Sequence, residues 1–396
     1  MERSPFIEQL DMKYLINTLV RLAQIPTDVP LGPEVFMAPD DLKLTHYVQH
    51  VLRPELTALG VYDVIDVPDN QIVVRCGEGT SAASLLLMVY TPTQHHNLMA
   101  DPFSGKIVRG TAWGFDEPCV VAQGVTQNKS HHAIMLTVLK LLVEHHVRLG
   151  GTLYWAINNE GRSSHACSRT ILQALDPKPD FAILLTATGQ RISLGNRGRV
   201  DVNIDIRGEA IHSSTPQFGL SAIDGAHDVL DRLKRLDLAG SHPLLGSQHA
   251  IPYQITYEPL APHTLPSRAY IRVDRRLLPG DDPIQATAEI RNIIGDMTPY
   301  QVNVEQGHYM LPALVEPDHP GVKVLTASHQ RVHGETPATY YGQGTFDAGG
   351  PCAAGVPAVM YGVGGGGAVL DVDFVPISHV QNVARVLTQH ILSALG

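Results

Sequence analysis

The chain has 396 residues, of which 44% are hydrophobic and 17% are charged. This composition is typical of a folded protein long enough for two domains with separate cores. The 39 acidic residues outnumber the 29 basic ones and give a formal net charge of −10. Nucleic-acid binding depends on clustered Lys and Arg, and the sequence has no basic stripe, so we expect no nucleic-acid partner.

Cysteine usage and hydropathy bear on the cellular compartment. The four cysteines lie far apart and form no C-x-x-C pair, which favours reduced thiols over a disulfide framework or a thiolate zinc site. Residues 1–5 are not followed by a signal-peptide core, and no apolar run approaches the roughly 20 residues of a membrane span. We therefore expect a cytoplasmic protein with no membrane partner.

The first half of the chain alternates helix and strand patterns. Asp11 can cap a helix whose apolar residues recur at helical spacing, and a second helix follows Asp40 and Asp41. The run 85–90 is continuously apolar, as in a strand covered on both faces. The alternation predicts an α/β fold with a mostly parallel mixed sheet and helices on both faces. The predicted strands are 61–67, 71–75, 85–90, 152–157 and 181–185, and the later helices are 131–143 and 168–175.

The pattern changes near residue 198. Residues 200–206 alternate apolar and polar side chains, as a half-exposed antiparallel strand does. The elements that follow give the order β-α-β-β-α-β of a ferredoxin-like unit; they are helix 222–236, strands 253–257 and 269–273, helix 284–294 and strand 301–305.

The alternation of helix and strand then resumes, with helices at 322–332 and 379–395 and a strand at 358–361. We predict a larger domain of residues 1–197 and 311–396, with an inserted domain of residues 198–310.

Several motifs in the same order resemble one family of enzymes. Residues 208–216 read GEAIHSSTP, and Leu265-Pro266 is followed by DRRLLPG at 274–280. These segments are similar to motifs of the zinc-dependent family of aminoacylases, acetylornithine deacetylase, succinyl-diaminopimelate desuccinylase and glutamate carboxypeptidase. The resemblance implies a zinc-exopeptidase-like fold, hydrolysis of an amide or other C–N bond in a small acylated amino acid or carboxylate-bearing substrate, and a homodimer formed through residues 198–310.

The resemblance also implies two zinc ions, a metal-bound water and a Glu that carries protons. Residues 123–130 correspond to the family loop G-R-G-x-x-D-x-K-G, where Gln127 stands in place of the bridging Asp. Tyr90 stands in place of a His ligand, Thr186 in place of a carboxylate ligand, and Val369 in place of the last His ligand of an A-H-x-x-x-E pattern.

The family's consecutive Glu pair is altered as well. Asn159 stands in place of the general base, and an amide cannot take a proton from water near neutral pH. Glu160 is the one expected ligand that remains. We therefore predict no bound metal and no other cofactor. The alternative is a single atypical divalent metal that uses histidines near these positions, although neighbouring histidines on a helix point in different directions; the candidates are His95, His96, His131 and His132.

The remaining polar residues suggest how such a site could act. His212 corresponds to the family histidine that stabilises the oxyanion; alternatively, it caps the segment that follows it. Glu160 in a partly dry pocket could serve as acid or base. Four other residues could orient a substrate, or they could be replacements without a function at a site that has lost its activity; they are Tyr90, Gln127, Asn159 and Thr186.

Three further residues are predicted to bind substrate. His263 lies where the family commonly has an Asn that contacts the substrate carbonyl. Arg276 could bind a substrate carboxylate through two parallel hydrogen bonds. Asp347 could line the pocket. We predict a hydrolase-like enzyme that acts without the two-zinc centre on a small-molecule substrate. The alternatives are a catalytically silent ligand-binding relative, or lyase, cyclase or ligation chemistry in the same pocket.

Overall fold

A computed structural model describes the chain except for residues 1–3, 30–36, 94–97, 161–163 and 367–370. Val369, His95 and His96 lie outside the described residues. The chain forms two compact units: the first comprises Met1–Gly195, Leu314–Tyr340 and Gly350–Gly396, and the second comprises Asn196–Ala313 and Tyr341–Gly349.

The strands and helices have the following bounds. The strands are β1 (Val64–Val67), β2 (Gln71–Cys76), β3 (Ser84–Tyr90), β4 (Lys106–Arg109), β5 (Pro118–Val121), β6 (Thr152–Asn158), β7 (Phe181–Leu185), β8 (Ile192–Asn196), β9 (Gly198–Arg207), β10 (Ile211–His212), β11 (Ser241–His242), β12 (Gly246–Ser247), β13 (Ala250–Glu258), β14 (Thr264–Leu265), β15 (Arg268–Leu277), β16 (Gln301–Met310), β17 (Ala313–Leu314), β18 (Thr339–Gly342), β19 (Ala358–Tyr361) and β20 (Phe374–Pro376). The α-helices are α1 (Met12–Ala23), α2 (Leu42–Thr45), α3 (Arg53–Ala58), α4 (Ser130–Glu144), α5 (Ala166–Gln173), α6 (Ala222–Leu233), α7 (Pro283–Ile294), α8 (Pro320–His333), α9 (Gly349–Ala353) and α10 (Ile377–Leu395).

Among the described residues, the first unit is built on a nine-stranded mixed sheet, which confirms the predicted fold class. Its order is β1-β2-β6-β3-β7-β19-β8-β17, with β18 paired to β8. The four central strands β6, β3, β7 and β19 run parallel, whereas β1, β2 and β8 pair antiparallel. Parallel strands end at the same edge of a sheet, so the segments after these four strands come together.

Local sequence explains the elements around this sheet. Every residue of β3 is buried, as its unbroken apolar run predicts. The Asp11 side chain accepts a hydrogen bond from the Tyr14 backbone N–H at 2.8 Å, which confirms the predicted cap of α1. A π-helical turn, Val125–Lys129, leads directly into α4, whose first ten residues are all buried. This explains why the α4 sequence shows apolar residues on every face.

The second unit contains the predicted ferredoxin-like arrangement. Its antiparallel sheet has the order β13-β15-β9-β16, and α6 and α7 pack on it in the order β-α-β-β-α-β. The alternating apolar residues of β9 are fully buried beneath these helices, as the period-two pattern predicts. Residues 341–349 group with this unit, although their place in the chain predicts the first one.

One further helix departs from regular α-helical geometry. The second helix starts at Leu42, as expected, but a π-helical turn, His46–Leu52, carries it without a break to Ala58. Within the part of the chain that the structure describes, no helix has both the length and the apolar character needed to cross a bilayer.

Candidate functional site

The carboxyl edge of the parallel strands carries most of the predicted site residues of the first unit. Tyr90 ends β3 and lies opposite Asn158, the last residue of β6, so Asn159 follows beside it. Thr186 follows β7, the next strand across the sheet. The edge of a parallel sheet where strand order reverses is a common place for ligand sites, because loops from several strands converge there.

The loop that contains Gln127 is fixed against the segment after β3. Gly124 has φ +87°, and a Cβ atom there would lie 2.5 Å from Thr93 Oγ1 and 2.8 Å from Asn128 Oδ1, so glycine is required. The Asn128 amide donates to the Thr91 carbonyl at 2.6 Å. These contacts hold the loop, and therefore Gln127, at the carboxyl edge of the sheet.

A buried carboxylate from the distant C-terminal region clamps the same loop. Asp373 Oδ2 accepts from the Gly124 backbone N–H at 2.7 Å, and Oδ1 accepts from the Thr126 N–H at 3.3 Å and from its hydroxyl at 2.7 Å. Burial raises the pKa of Asp373 to about 6, although the three donors oppose the shift. Sequence reasoning missed this role; the signal was available, because Asp373 stands four residues after Val369, where the family pattern A-H-x-x-x-E has its Glu.

We expect Asp373→Ala to lower the free energy of unfolding by about 2–4 kcal/mol, because three buried donors would lose their acceptor. Asp371→Ala, two residues earlier and exposed, should change stability by less than about 0.5 kcal/mol. Because the folded-state pKa is raised, the stability that Asp373 contributes is greatest at low pH and declines as the pH rises through about 6. Urea denaturation at pH 5 and pH 7.5 measures both effects, and equal losses in the two variants would contradict the clamp.

Asn159 and Glu160 are fully buried and bonded to the protein. The Asn159 amide donates to the carbonyl oxygens of Asp69, at 3.2 Å, and Asn70, at 2.7 Å. Glu160 Oε2 accepts from the backbone N–H groups of Cys167, at 3.0 Å, and Ser168, at 3.4 Å, in the first turn of α5. A carboxylate at a helix N-terminus is stabilised by these donors and by the helix dipole.

The protonation of Glu160 is set by two opposing effects. Burial raises the pKa of its carboxyl group, and the N–H donors of α5 lower it in part. The contacts give Glu160 a clear structural role as the anchor of α5. Its role as acid or base stays a prediction.

His131 and His132 point in different directions, as expected for adjacent helical residues. His132 Nε2 lies 3.0 Å from the Tyr90 carbonyl, and its ring packs edge-on against Tyr47. His131 contacts the Gln127 carbonyl and the Val363 backbone N–H instead. Burial lowers the pKa of both imidazoles to about 3, so both are neutral at physiological pH.

The second unit carries the other predicted residues. His212 and Thr264 are paired on the ribbon of β10 and β14, and this pairing places the His212 and His263 rings 6.2 Å apart. His212 Nδ1 accepts from the Ser214 backbone N–H at 3.2 Å, so the ring proton of the neutral form lies on the exposed Nε2. His263 has φ +51° and is exposed.

Arg276 and Asp347 also lie in the second unit. The Nη2 group of Arg276 donates a hydrogen bond to Asp274 Oδ2 at 2.7 Å. The Nε and Nη1 groups of Arg276 have no hydrogen-bond partner among the described residues. Asp347 is half-buried in the segment 341–349. The structure thus brings His212 and His263 together in this unit, and Tyr90, Asn159, Gln127 and Thr186 to one edge of the sheet in the other.

The donor set of the first unit does not fit a two-zinc centre. Phenol, amide and hydroxyl groups stand at Tyr90, Gln127 and Thr186, where zinc would need imidazole or carboxylate. Glu160, the remaining carboxylate, is bonded to α5. Among the residues that the structure describes, no three His, Cys, Asp or Glu side chains are placed to hold a metal ion together.

Comparisons with known proteins identify relatives of this fold and sequence. Residues 194–301 match a family model described as a peptidase dimerisation domain. Carboxypeptidase G2 of Pseudomonas sp. (strain RS-16) is 28% identical over 43% of this chain and 40% of its own length. N-formyl-4-amino-5-aminomethyl-2-methylpyrimidine deformylase of Bacillus subtilis is 26% identical over 62% of this chain and 64% of its own length. The matches thus span about half the length of these curated relatives.

A solved structure extends the similarity to almost the whole chain. The metallo-carboxypeptidase Sso-CP2 from Sulfolobus solfataricus superposes with a TM-score of 0.75 over 96% of this chain and 98% of its own, at 16% identity. At that identity the likeness shows the fold alone. Together with the sequence matches, it confirms the predicted resemblance to the zinc peptidase and amidohydrolase family.

Proposed function

We propose that this divergent relative of the zinc peptidases and amidohydrolases is a hydrolase. It cleaves an amide or other C–N bond of a small acylated amino acid or similar carboxylate-bearing substrate. It acts without the two-zinc centre. The observation that carries the proposal is the neutral polar edge formed by Tyr90, Gln127, Asn159 and Thr186. The phenol of Tyr90, the amide of Gln127 and the hydroxyl of Thr186 can donate hydrogen bonds to a carbonyl or carboxylate. The Asn159 amide already donates to Asp69 and Asn70, so it contributes its oxygen as an acceptor.

The family resemblance assigns two donors to the second unit, and each is characterised by its contacts within that unit. The exposed Nε2–H of His212 is oriented by Ser214 and can donate to an oxyanion that develops on the substrate carbonyl. The Arg276 guanidinium is held at one end by Asp274, and its Nε and Nη1 are buried without a hydrogen-bond partner among the described residues; the acceptor that we propose for them is a substrate carboxylate. These are the two functional groups of the proposed substrate.

Hydrolysis also needs a group that takes a proton from water and returns it to the leaving nitrogen. Among the predicted ligand and base positions that the structure describes, Glu160 is the one carboxylate. Burial raises the pKa of Glu160 and so brings its ionisation closer to neutral pH, which suits proton transfer. We therefore assign the acid/base role to Glu160.

One observation favours a second candidate, a relative that binds the same ligand without cleaving it. Glu160 Oε2 is already engaged by the N–H groups of α5, and a carboxylate used as a helix anchor is a weaker base. In this alternative the polar edge binds the ligand without cleaving it.

Glu160→Gln separates the two candidates, because the amide keeps the shape and one acceptor oxygen but cannot carry a proton. If Glu160 is the acid/base group, hydrolysis of acyl-amino-acid substrates should fall by about 10²–10⁴-fold while ligand affinity changes little. The assay should run with and without chelator, with ligand binding followed by calorimetry. An unchanged rate in the variant would contradict the role of Glu160, and binding with no turnover across a broad substrate panel would favour the second candidate.

The same family likeness supports a homodimer formed through residues 198–310. β13 is an edge strand of its sheet and exposes apolar side chains along its length. Four of them are at least 46% exposed: Ile251, Tyr253, Ile255 and Tyr257. Exposed apolar edge strands tend to associate, and the matching family model is described as a dimerisation domain, so the proposed occupant is a second copy of the chain.

We expect Ile255→Glu to shift the chain from dimer to monomer, because the substitution places a charge in the proposed contact between edge strands. Light scattering coupled to size-exclusion chromatography gives the mass directly. Leu42→Glu is the matched control, since Leu42 is 85% exposed on the first unit and lies outside residues 198–310. A dimer that is unaffected by Ile255→Glu, or a monomeric unaltered chain, would contradict this interface.

A further inference from the structure

The imidazole of His131 lies between two positions that the resemblance assigns to metal ligands. The side chain is fully buried, and its Nδ1 lies 3.2 Å from the carbonyl oxygen of Gln127. Its Nε2 lies 3.2 Å from the backbone nitrogen of Val363, just beyond β19. A backbone N–H can only donate, so Nε2 is the acceptor and the ring proton lies on Nδ1. Both ring nitrogens are therefore committed to the protein.

The close approach at Gly362 shows how tightly this ring is packed. A Cβ atom on Gly362 would lie 2.2 Å from His131 Nε2 and 2.2 Å from the carbonyl oxygen of Thr186. The imidazole thus reaches from the turn that carries Gln127 to the strand ends beside Thr186. A zinc ligand must offer an open lone pair about 2.0–2.2 Å from the ion, and neither ring nitrogen of His131 offers one.

We propose that His131 replaces the cross-link that metal ions provide in the family and keeps metal out of the site. The imidazole connects the first turn of α4 to the end of β19. This connection keeps the residues of the polar edge in position without a metal ion. This inference rests on the metal-free site of the proposed function, but it is independent of whether the bound ligand is cleaved.

His132 provides a matched comparison for the experiment. It is also fully buried and neutral, but it donates to the Tyr90 carbonyl and packs against Tyr47 and Trp155. Loss of either imidazole removes similar packing, whereas only His131 lies between Gln127 and Thr186.

The test restores family-type ligands and asks whether His131 blocks zinc. The background carries Tyr90→His, Gln127→Asp and Thr186→Glu, and zinc chloride is titrated calorimetrically into chelator-treated protein. We expect this background to bind zinc no more tightly than the unaltered chain. Adding His131→Gly should raise the affinity at least about tenfold, and adding His132→Gly should not. Tight zinc binding with His131 still in place would overturn the inference.

A measurement on the unaltered chain keeps the proposal testable where these variants do not fold. Long-range ¹H–¹⁵N spectra of the imidazoles should show His131 as the neutral Nδ1–H tautomer from pH 5 to pH 8. An Nε2–H tautomer, or titration of His131 in that range, would overturn the bridge. Two zinc ions in the unaltered chain would instead overturn the proposed function.

Discussion

Lowering the pH from 6.5 to 4.5 is expected to remove most of the stability of this chain. Several buried histidines are neutral in the folded state, because burial lowers the pKa of His131 and His132 to about 3 and that of three others to about 4. The three others are His165, His329 and His390.

The sign follows from the difference between the folded and unfolded pKa values. An unfolded histidine titrates near pH 6.5, so its neutral burial contributes stability that is complete above that pH and is lost as the pH falls toward 3 or 4. At pH 5 each such histidine lowers the free energy of unfolding by about 1–2 kcal/mol relative to its value at high pH. The total free energy of unfolding of a folded protein is about 5–15 kcal/mol. Asp373 acts in the opposite direction, because its folded-state pKa of about 6 favours the folded state at low pH.

Urea denaturation at closely spaced pH values measures the slope of unfolding free energy against pH. His390→Leu should reduce the slope near pH 5 by about one proton, or about 1.4 kcal/mol per pH unit. His227→Leu is the control, since that side chain is 72% exposed. Stability that stays constant from pH 6.5 to 4.5 would show that the buried imidazoles are not neutral in the way the fold requires.

Glu160→Ala is expected to lower the free energy of unfolding by about 3–5 kcal/mol. The carboxylate accepts hydrogen bonds from the first turn of α5, and without it the N–H groups of Ala166, Cys167 and Ser168 would be left in a buried environment. The effect should concentrate in α5, where amide hydrogen exchange should speed up more than in α4.

Glu316→Ala is the matched control, because Glu316 is an exposed glutamate of the same unit. Its removal should change stability by less than about 0.5 kcal/mol. If Glu160→Ala is as stable as this control, the carboxylate does not anchor α5, and the case for a free acid/base group becomes stronger.

Local sequence was sufficient to predict the elements and the order in which they combine. The apolar run of β3 and the period-two pattern of β9 specify which faces are buried, and the cap at Asp11 depends on a partner three residues away. Such features depend on neighbours in the chain, so they can be read from the pattern alone.

The side-chain partners at the site could not be predicted in the same way. Asp373 and Gly124 are 249 residues apart, and His131 and Val363 are 232 apart. The first pair meets because β20, which begins directly after Asp373, pairs antiparallel with β5, which ends shortly before Gly124. The second pair meets because Val363 lies just beyond the end of β19. The sequence identified Glu160 as a retained carboxylate, but its engagement with α5 became visible only in the fold.

The metal content of the chain, purified without added metal, tests the central claim most directly. Inductively coupled plasma mass spectrometry on the unaltered protein should find far less than one zinc per chain, and dialysis against chelator should leave ligand binding unchanged. About two zinc ions per chain, with ligand binding lost after chelation, would contradict a metal-independent site.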